Sequence, residues 1–142
     1  MRNSKENWIY TYYQRIKNGS ETGGRFIVLL MEFLVNGLEE KLFFYDQKKA
    51  NDAIEWIETH GFHTEGALAP GPLKLELWEK AFVASMFGIV NEKGLRQFRE
   101  VVLVIGRKNG KSLLASAIAK YVWWNDGFGT KIYNIAPKLD QA

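Results

Sequence analysis

The strongest constraint on the fold of this chain is the segment 106–112, which reads Gly-Arg-Lys-Asn-Gly-Lys-Ser. It follows the apolar, mostly β-branched run at 101–105 and precedes a helical pattern. A strand that leads through a glycine-rich turn into a helix N-terminus is typical of loops that bind phosphate. Such a loop needs backbone N–H groups, a lysine and a hydroxyl directed at the anion, and all of these are available here. The segment therefore predicts binding of a nucleoside triphosphate.

Three residues at the end of this loop have distinct chemical parts to play. Gly110 allows the backbone to approach the phosphates without a Cβ, and Lys111 would place its ammonium on the outer phosphate oxygens. Ser112 would ligate Mg²⁺ through its hydroxyl. We therefore predict Lys111 as a catalytic and nucleotide-binding residue and Ser112 as the metal ligand.

The first part of the loop departs from the general template. The template has a glycine five positions before Gly110, where this chain has Ile105, and Gly106 takes its place. Arg107 could stabilise charge that develops on the γ-phosphate, so we predict a catalytic part for it as well. The candidate nucleotide-binding residues of the loop are Gly106, Arg107, Lys108, Asn109, Gly110, Lys111 and Ser112.

The elements around the loop predict an α/β fold. Phe98–Ile105 is expected to be a strand, and a helical pattern that starts at the loop is expected to end at Asp126-Gly127 to Gly129. Lys131–Ile135 then predicts a second strand, and a right-handed helical crossover would make the two strands parallel. Two parallel strands are fewer than a sheet usually has, so we expect a partial sheet from a longer natural protein.

The N-terminal part of the sequence predicts helices. Apolar residues recur at helical spacing from Trp8 to Ile16 and from Phe26 to Leu34, and Asn36-Gly37 is expected to end the second helix. A third helix is predicted with Asp46 as its N-cap and with His60-Gly61 at its end.

A change of composition divides the chain near its middle. Residues 61–72 contain three glycines and two prolines, and a further helix is predicted from Leu77 to Gly88. Residues 1–72 carry 8 basic and 10 acidic side chains, whereas residues 73–142 carry 11 and 6. A basic segment suits a partner rich in phosphate. We therefore predict a helical N-terminal region at 1–65 and the first part of a P-loop ATPase domain at 66–142, truncated at its end.

The composition also excludes some classes of protein and site. The sequence has no cysteine, which rules out disulfides and thiolate metal sites. It has no apolar run near the roughly 20 residues that a membrane-spanning helix needs. A cytoplasmic location without a membrane is therefore the expectation.

Several segments together resemble one protein family. GRKNGKS followed by LLASAIAKY, and then KIYNIAPKLDQA, resembles the large terminase subunit of tailed bacteriophages, the ATPase that drives DNA into the capsid. The upstream stretch PLKLELWEKAFVASMFG is similar to the segment that helps to hold adenine in that family. The likeness covers most of the chain, and the shortened loop matches a form that terminases often carry.

The resemblance implies ATP and Mg²⁺ as the cofactors and assigns parts to individual residues. Lys111 and Ser112 would bind the phosphates and Mg²⁺, and Arg107 would act as an arginine finger from the same chain. Trp78 and Glu79 match the adenine segment, but the family usually has glutamine where this chain has Glu79. An ionised glutamate only accepts hydrogen bonds, which puts adenine selectivity in doubt.

The resemblance further implies a packaging motor that couples ATP hydrolysis to translocation of double-stranded DNA. Its partners would be a small terminase subunit and the portal protein, in the cytoplasm of a bacterial host. The strand ending in Asp-Glu and the nuclease domain of the family would lie beyond Ala142, so this fragment is expected to hydrolyse ATP poorly on its own. Two alternatives stay open: another P-loop enzyme, such as a kinase or a helicase-like ATPase, and a non-catalytic module that binds nucleic acid.

Overall fold

The computed structural model describes residues 7–63, 66–106 and 109–133. These residues form five α-helices and two short strands, in the order α1 Trp8–Lys17, α2 Arg25–Glu39, β1 Phe44–Tyr45, α3 Gln47–His60, α4 Leu77–Phe87, β2 Ile89–Val90 and α5 Lys111–Asp126. The chain divides into two compact units, residues 1–104 and residues 105–142. The domain boundary that the sequence predicts near residue 65 stays a prediction.

The first unit is built from four helices. The Asn7 side chain caps α1 by accepting hydrogen bonds from the backbone N–H groups of Ile9 and Tyr10, both at 3.1 Å. Helix α1 packs against α2 and α4, and α3 packs against α4. The largest fully buried side chains of this unit are Ile9, Leu34, Ile57, Ile89 and Val83.

Helix α3 has the bounds that the sequence predicts. Asp46 is its N-cap and accepts a hydrogen bond from the Lys49 backbone N–H at 3.0 Å, and Gly61 follows its last residue. The predicted apolar face is buried and consists of Ala50, Ala53, Ile54 and Ile57. The predicted helices α1, α4 and α5 are also confirmed, because each begins and ends within about one turn of the positions that the sequence predicts.

The predicted end of α2 at Asn36-Gly37 is wrong, because the helix continues to Glu39. Gly37 is buried within the helix, and a Cβ at this position would overlap the ring of Phe43. The glycine is therefore present for close packing and not for a turn. A glycine inside a helical pattern is ambiguous from sequence alone, because both uses favour the same residue.

The actual end of α2 has a lysine in the left-handed region. Lys41 has φ 59°, its N–H donates to Leu38 O at 3.3 Å, and the Leu42 N–H donates to Gly37 O at 2.9 Å. This pair of hydrogen bonds is the Schellman arrangement, in which glycine is the preferred left-handed residue.

We expect Lys41→Gly to stabilise the protein by about 1 kcal/mol, because glycine avoids the steric cost of positive φ. The midpoint of thermal unfolding should rise by roughly 3–6 °C. Lys48→Gly, in the first turn of α3, is the comparison and should lower the midpoint, because glycine weakens a helix. A lower midpoint for Lys41→Gly would contradict the conclusion that the positive φ of Lys41 carries a steric cost.

The sheet of the first unit is small and antiparallel. Strand β1 pairs with β2, with Phe44 opposite Val90 and Tyr45 opposite Ile89. After β2 the chain turns back, so that the Gln97 N–H donates to Ile89 O at 3.0 Å. Helices with a small sheet are compatible with the predicted α/β class.

The predicted parallel strand at Phe98–Ile105 is not formed. The Phe98 ring lies edge-on to Phe43 with centroids 5.8 Å apart, and Val102 and Val104 are 85% and 87% exposed. A parallel strand needs hydrogen-bonded neighbours, and none of the residues described here pairs with 101–105 as a strand. Of the predicted second strand, residues 131–133 are not in a strand, and residues 134 and 135 lie outside the described residues.

The second unit contains α5. The helix begins at Lys111 and ends at Asp126, before Gly127 with φ 73°. Its buried residues are Leu114, Ala117 and Tyr121. No helix in the described ranges combines the length and the hydropathy that a bilayer crossing requires.

Candidate functional site

The candidate loop meets α5 at a glycine in the left-handed conformation. Gly110 has φ 67° and ψ 7°, and its carbonyl accepts the first hydrogen bond of the helix from the Leu114 N–H at 3.0 Å. A Cβ on Gly110 would meet nothing within 4 Å, so the backbone conformation, and not a lack of space, favours glycine here. This sharp turn brings the chain directly into the first turn of α5.

The first turn of α5 is open to solvent. Lys111 and Ser112 are exposed, and among the described residues no side chain caps the free N–H groups of this turn. The N-terminus of a helix attracts anions, because its free N–H groups and the helix dipole both point outwards. The turn can therefore receive an anion with an ammonium and a hydroxyl close by.

The earlier part of the loop is described only at its two ends. A Cβ on Gly106 would lie 3.2 Å from Nδ2 of Asn109, so the Asn109 side chain lies close to Gly106. Both residues are exposed. Arg107 and Lys108 lie outside the described residues, and their predicted parts stay predictions.

Trp78 and Glu79 lie in the first turn of α4, in the first unit. Trp78 is half-buried, whereas Glu79 is only 9% exposed. Oε2 of Glu79 accepts a hydrogen bond at 2.8 Å from the backbone N–H of Glu76, the residue that caps α4. The Glu79 carboxylate is thus turned back towards the start of its own helix.

Burial changes the titration of this carboxyl. Desolvation raises the pKa of Glu79 above its ordinary value of 4.5, and the charge of Glu76 raises it further, while the hydrogen bond from the Glu76 backbone and the charge of His63 lower it. The fold therefore favours the protonated form. The carboxyl contributes most to stability below its unfolded pKa, and this contribution is lost as the pH rises through the raised pKa.

A second carboxylate, that of Glu58, binds the backbone of Leu75, the residue before Glu76. Oε1 of Glu58 accepts from the Leu75 N–H at 3.0 Å and lies 3.4 Å from Nζ of Lys80. The same ammonium lies 4.8 Å from the centroid of the Trp8 ring. Sequence reasoning missed this cluster, because its members come from α1, α3 and α4 and no local spacing connects them.

The described residues contain no group of three or more His, Asp or Glu side chains that could hold a metal ion. The hydroxyl of Ser112 remains the predicted ligand for Mg²⁺, and its exposed position at the helix start fits a metal that keeps most of its other ligands from phosphate and water. Nothing else in the described part of the site is suited to a metal held by protein side chains alone.

The comparison with family models identifies the second part of the chain. Residues 77–142 match the model described as terminase large subunit, ATPase domain. Over these residues the chain is similar to the ATPase domain of terminase large subunits, and the match supports a terminase large-subunit fragment. No curated protein and no solved structure matches the chain.

The resemblance drawn from the loop is therefore confirmed over residues 77–142. The terminase region contains α4, β2 and α5, and every candidate site residue predicted from the sequence falls within it. An ATPase domain implies a nucleotide, with Mg²⁺ as its usual companion.

Proposed function

We propose that residues 106–112 form the phosphate-binding loop of a phage DNA-packaging ATPase and that the loop binds ATP with Mg²⁺. One observation supports this most strongly: left-handed Gly110 is followed by Lys111 and Ser112 in the first turn of α5, within the region that matches the terminase ATPase family. This is the order of groups that a triphosphate requires.

The residues at the turn fit the proposed cofactors. Lys111 would neutralise the outer phosphates with a charge-assisted hydrogen bond, and the open N–H groups of the first turn would donate hydrogen bonds to the adjacent phosphate oxygens. Ser112 would contribute its hydroxyl to Mg²⁺. Both side chains are exposed, so they need not break buried contacts in order to bind.

Catalysis in this proposal depends on charge stabilisation. Bound Mg²⁺ would supply electrostatic stabilisation of the phosphates, while Lys111 and Arg107 would hold the γ-phosphate and stabilise the charge that develops on it. An arginine from the same chain would make this stabilisation available without a partner protein.

The proposal for the whole protein extends beyond the nucleotide. ATP hydrolysis would be coupled to translocation of double-stranded DNA into the capsid, with a small terminase subunit and the portal protein as partners, in the cytoplasm of a phage-infected or prophage-carrying bacterium. Residues 1–65 would form the helical N-terminal region and residues 66–142 the ATPase part. The family match to residues 77–142 supports the assignment of the ATPase part to the second region.

The proposal is tested by calorimetric titration of the chain with ATP. We expect saturable binding in the presence of Mg²⁺, at least tenfold weaker binding in EDTA, and at least tenfold weaker binding of AMP with Mg²⁺, because the loop recognises the β- and γ-phosphates. Equal affinities for ATP and AMP would contradict a triphosphate site. A folded chain that binds DNA but no ATP would favour the alternative of a nucleic-acid-binding module.

A further inference from the structure

We propose that Glu79 is a positioning residue that fixes the start of α4 and takes no part in reading the nucleotide base. Any preference of this chain for ATP over GTP would then be independent of the Glu79 side chain. The part of this inference that concerns nucleotides rests on the proposed function, whereas the part that concerns α4 does not.

The first support is the position of the Glu79 carboxylate. One of its oxygens accepts from the Glu76 N–H at 2.8 Å, and the residue is 9% exposed. A side chain that reads the edge of a base must present its oxygen to the ligand. Glu79 instead uses Oε2, one of its two carboxylate oxygens, within its own helix, where a free N–H group would otherwise lack a partner.

The second support is that Glu79 acts beside another carboxylate with the same task. Glu58 accepts from the Leu75 N–H at 3.0 Å, so two consecutive backbone N–H groups at the start of α4 are each held by a glutamate. Lys80 pairs with Glu58 at 3.4 Å, which connects α4 to α3. Side chains of the first unit therefore hold the start of α4.

The chemistry of the two bases allows the proposal to be tested. Adenine presents an amine at the position where guanine presents a carbonyl oxygen. An ionised carboxylate only accepts hydrogen bonds, whereas the amide of glutamine both accepts and donates, so the two side chains interact differently with the edge of each base. If Glu79 reads the base, Glu79→Gln must change the ratio of ATP to GTP affinity.

The first experiment measures the helix without nucleotide. Glu79→Ala should lower the midpoint of thermal unfolding by roughly 3–6 °C and should speed amide hydrogen exchange at Glu76 about fivefold to tenfold, because the cap is lost. Glu79→Gln keeps an acceptor oxygen and should retain both the midpoint and the slow exchange. Glu92→Ala, at an exposed glutamate in the turn after β2, is the control and should change neither.

The second experiment measures ATP and GTP binding with Mg²⁺ by calorimetry for the same variants. Under this proposal the ratio of the two affinities stays within about twofold of the wild-type ratio for Glu79→Gln, since each tenfold change would need about 1.4 kcal/mol of base contact. A tenfold or larger change in the ratio would overturn the proposal. So would a Glu79→Ala variant whose unfolding midpoint and Glu76 exchange match the wild type.

The two experiments separate this inference from the proposed function. If the folded wild-type chain binds neither nucleotide, the proposed function fails. The capping role is still decided by the unfolding midpoint and by the exchange rate at Glu76, which need no nucleotide.

Discussion

Lys111→Ala is expected to weaken binding of ATP with Mg²⁺ about a hundredfold, as measured by calorimetry. Lys111 lies in the first turn of α5 directly after left-handed Gly110, and its side chain is exposed. Hydrogen bonds to charged groups contribute about 1.5–3 kcal/mol each, and an ammonium that bridges two phosphates would lose more than one of them. AMP lacks the outer phosphates, so its weaker binding should change far less.

Lys120→Ala provides the matched control for this prediction. Lys120 is an exposed lysine on the same helix, well beyond the first turn, and its removal changes the net charge by the same amount. We expect its ATP affinity to stay within about threefold of the wild type, because exposed charges at a distance are screened by salt. Equal losses in the two variants would show that only the general positive charge attracts ATP, and the loop assignment would then be wrong.

Ile57→Ala is expected to lower the free energy of unfolding by about 3–4 kcal/mol. Ile57 is 0% exposed and lies in the last turns of α3, the helix that packs against α4. The substitution loses the transfer energy of the removed methyl groups and leaves a cavity that packed helices fill only in part. Urea unfolding followed by tryptophan fluorescence measures the change, provided that the slope of the transition is unaltered.

Ile27→Ala is the comparison for Ile57→Ala. Ile27 is 40% exposed on α2, so the same substitution leaves no closed cavity and should cost less than about 1 kcal/mol. Ile57→Val should lower the free energy of unfolding by about 0.5–1.5 kcal/mol, which is less than for Ile57→Ala. If Ile57→Ala were no more destabilising than Ile27→Ala, the packing of α3 against α4 would differ from the one described here.

The helices could be predicted from the sequence because their signals are local. The stripe that contains Ile54 and Ile57 repeats at helical spacing, and Asp46 and Gly61 mark the two ends of α3 within a few residues of that stripe. The end of α2 could not be predicted in this way, because the reason for Gly37 is the ring of Phe43, which reaches it from outside the helix.

The apolar, β-branched residues at 98–105 predict a strand, but this pattern does not show which other strand would pair with it. β-branched residues such as Val102 and Val104 favour an extended backbone, yet a strand exists only where another strand donates and accepts its hydrogen bonds. In the structure the chain after β2 pairs backwards with Ile89 instead. The pairing of strands is set by contacts between distant parts of the chain, which a local pattern does not contain.

The distinction between local patterns and contacts over long sequence distances also applies to the candidate site. The order of Gly110, Lys111 and Ser112 is local, and the sequence places all three correctly at the start of α5. The hydrogen bond of Glu58 to Leu75 spans 17 positions and has no sequence signature. Glu79 could be recognised from the sequence as a departure from the family pattern, but its contact with Glu76 required coordinates.

The apolar run at 101–105, which is exposed at three of its five residues, has a practical consequence for handling the protein. Val102 and Val104 are almost fully exposed, and within the part of the chain that the structure describes no strand covers this run. Short apolar β-branched stretches of this kind, when left uncovered, are templates for cross-β stacking between molecules and can seed fibrils. Dilute samples, and a charged residue in place of Val104, would suppress that stacking without touching the triphosphate loop.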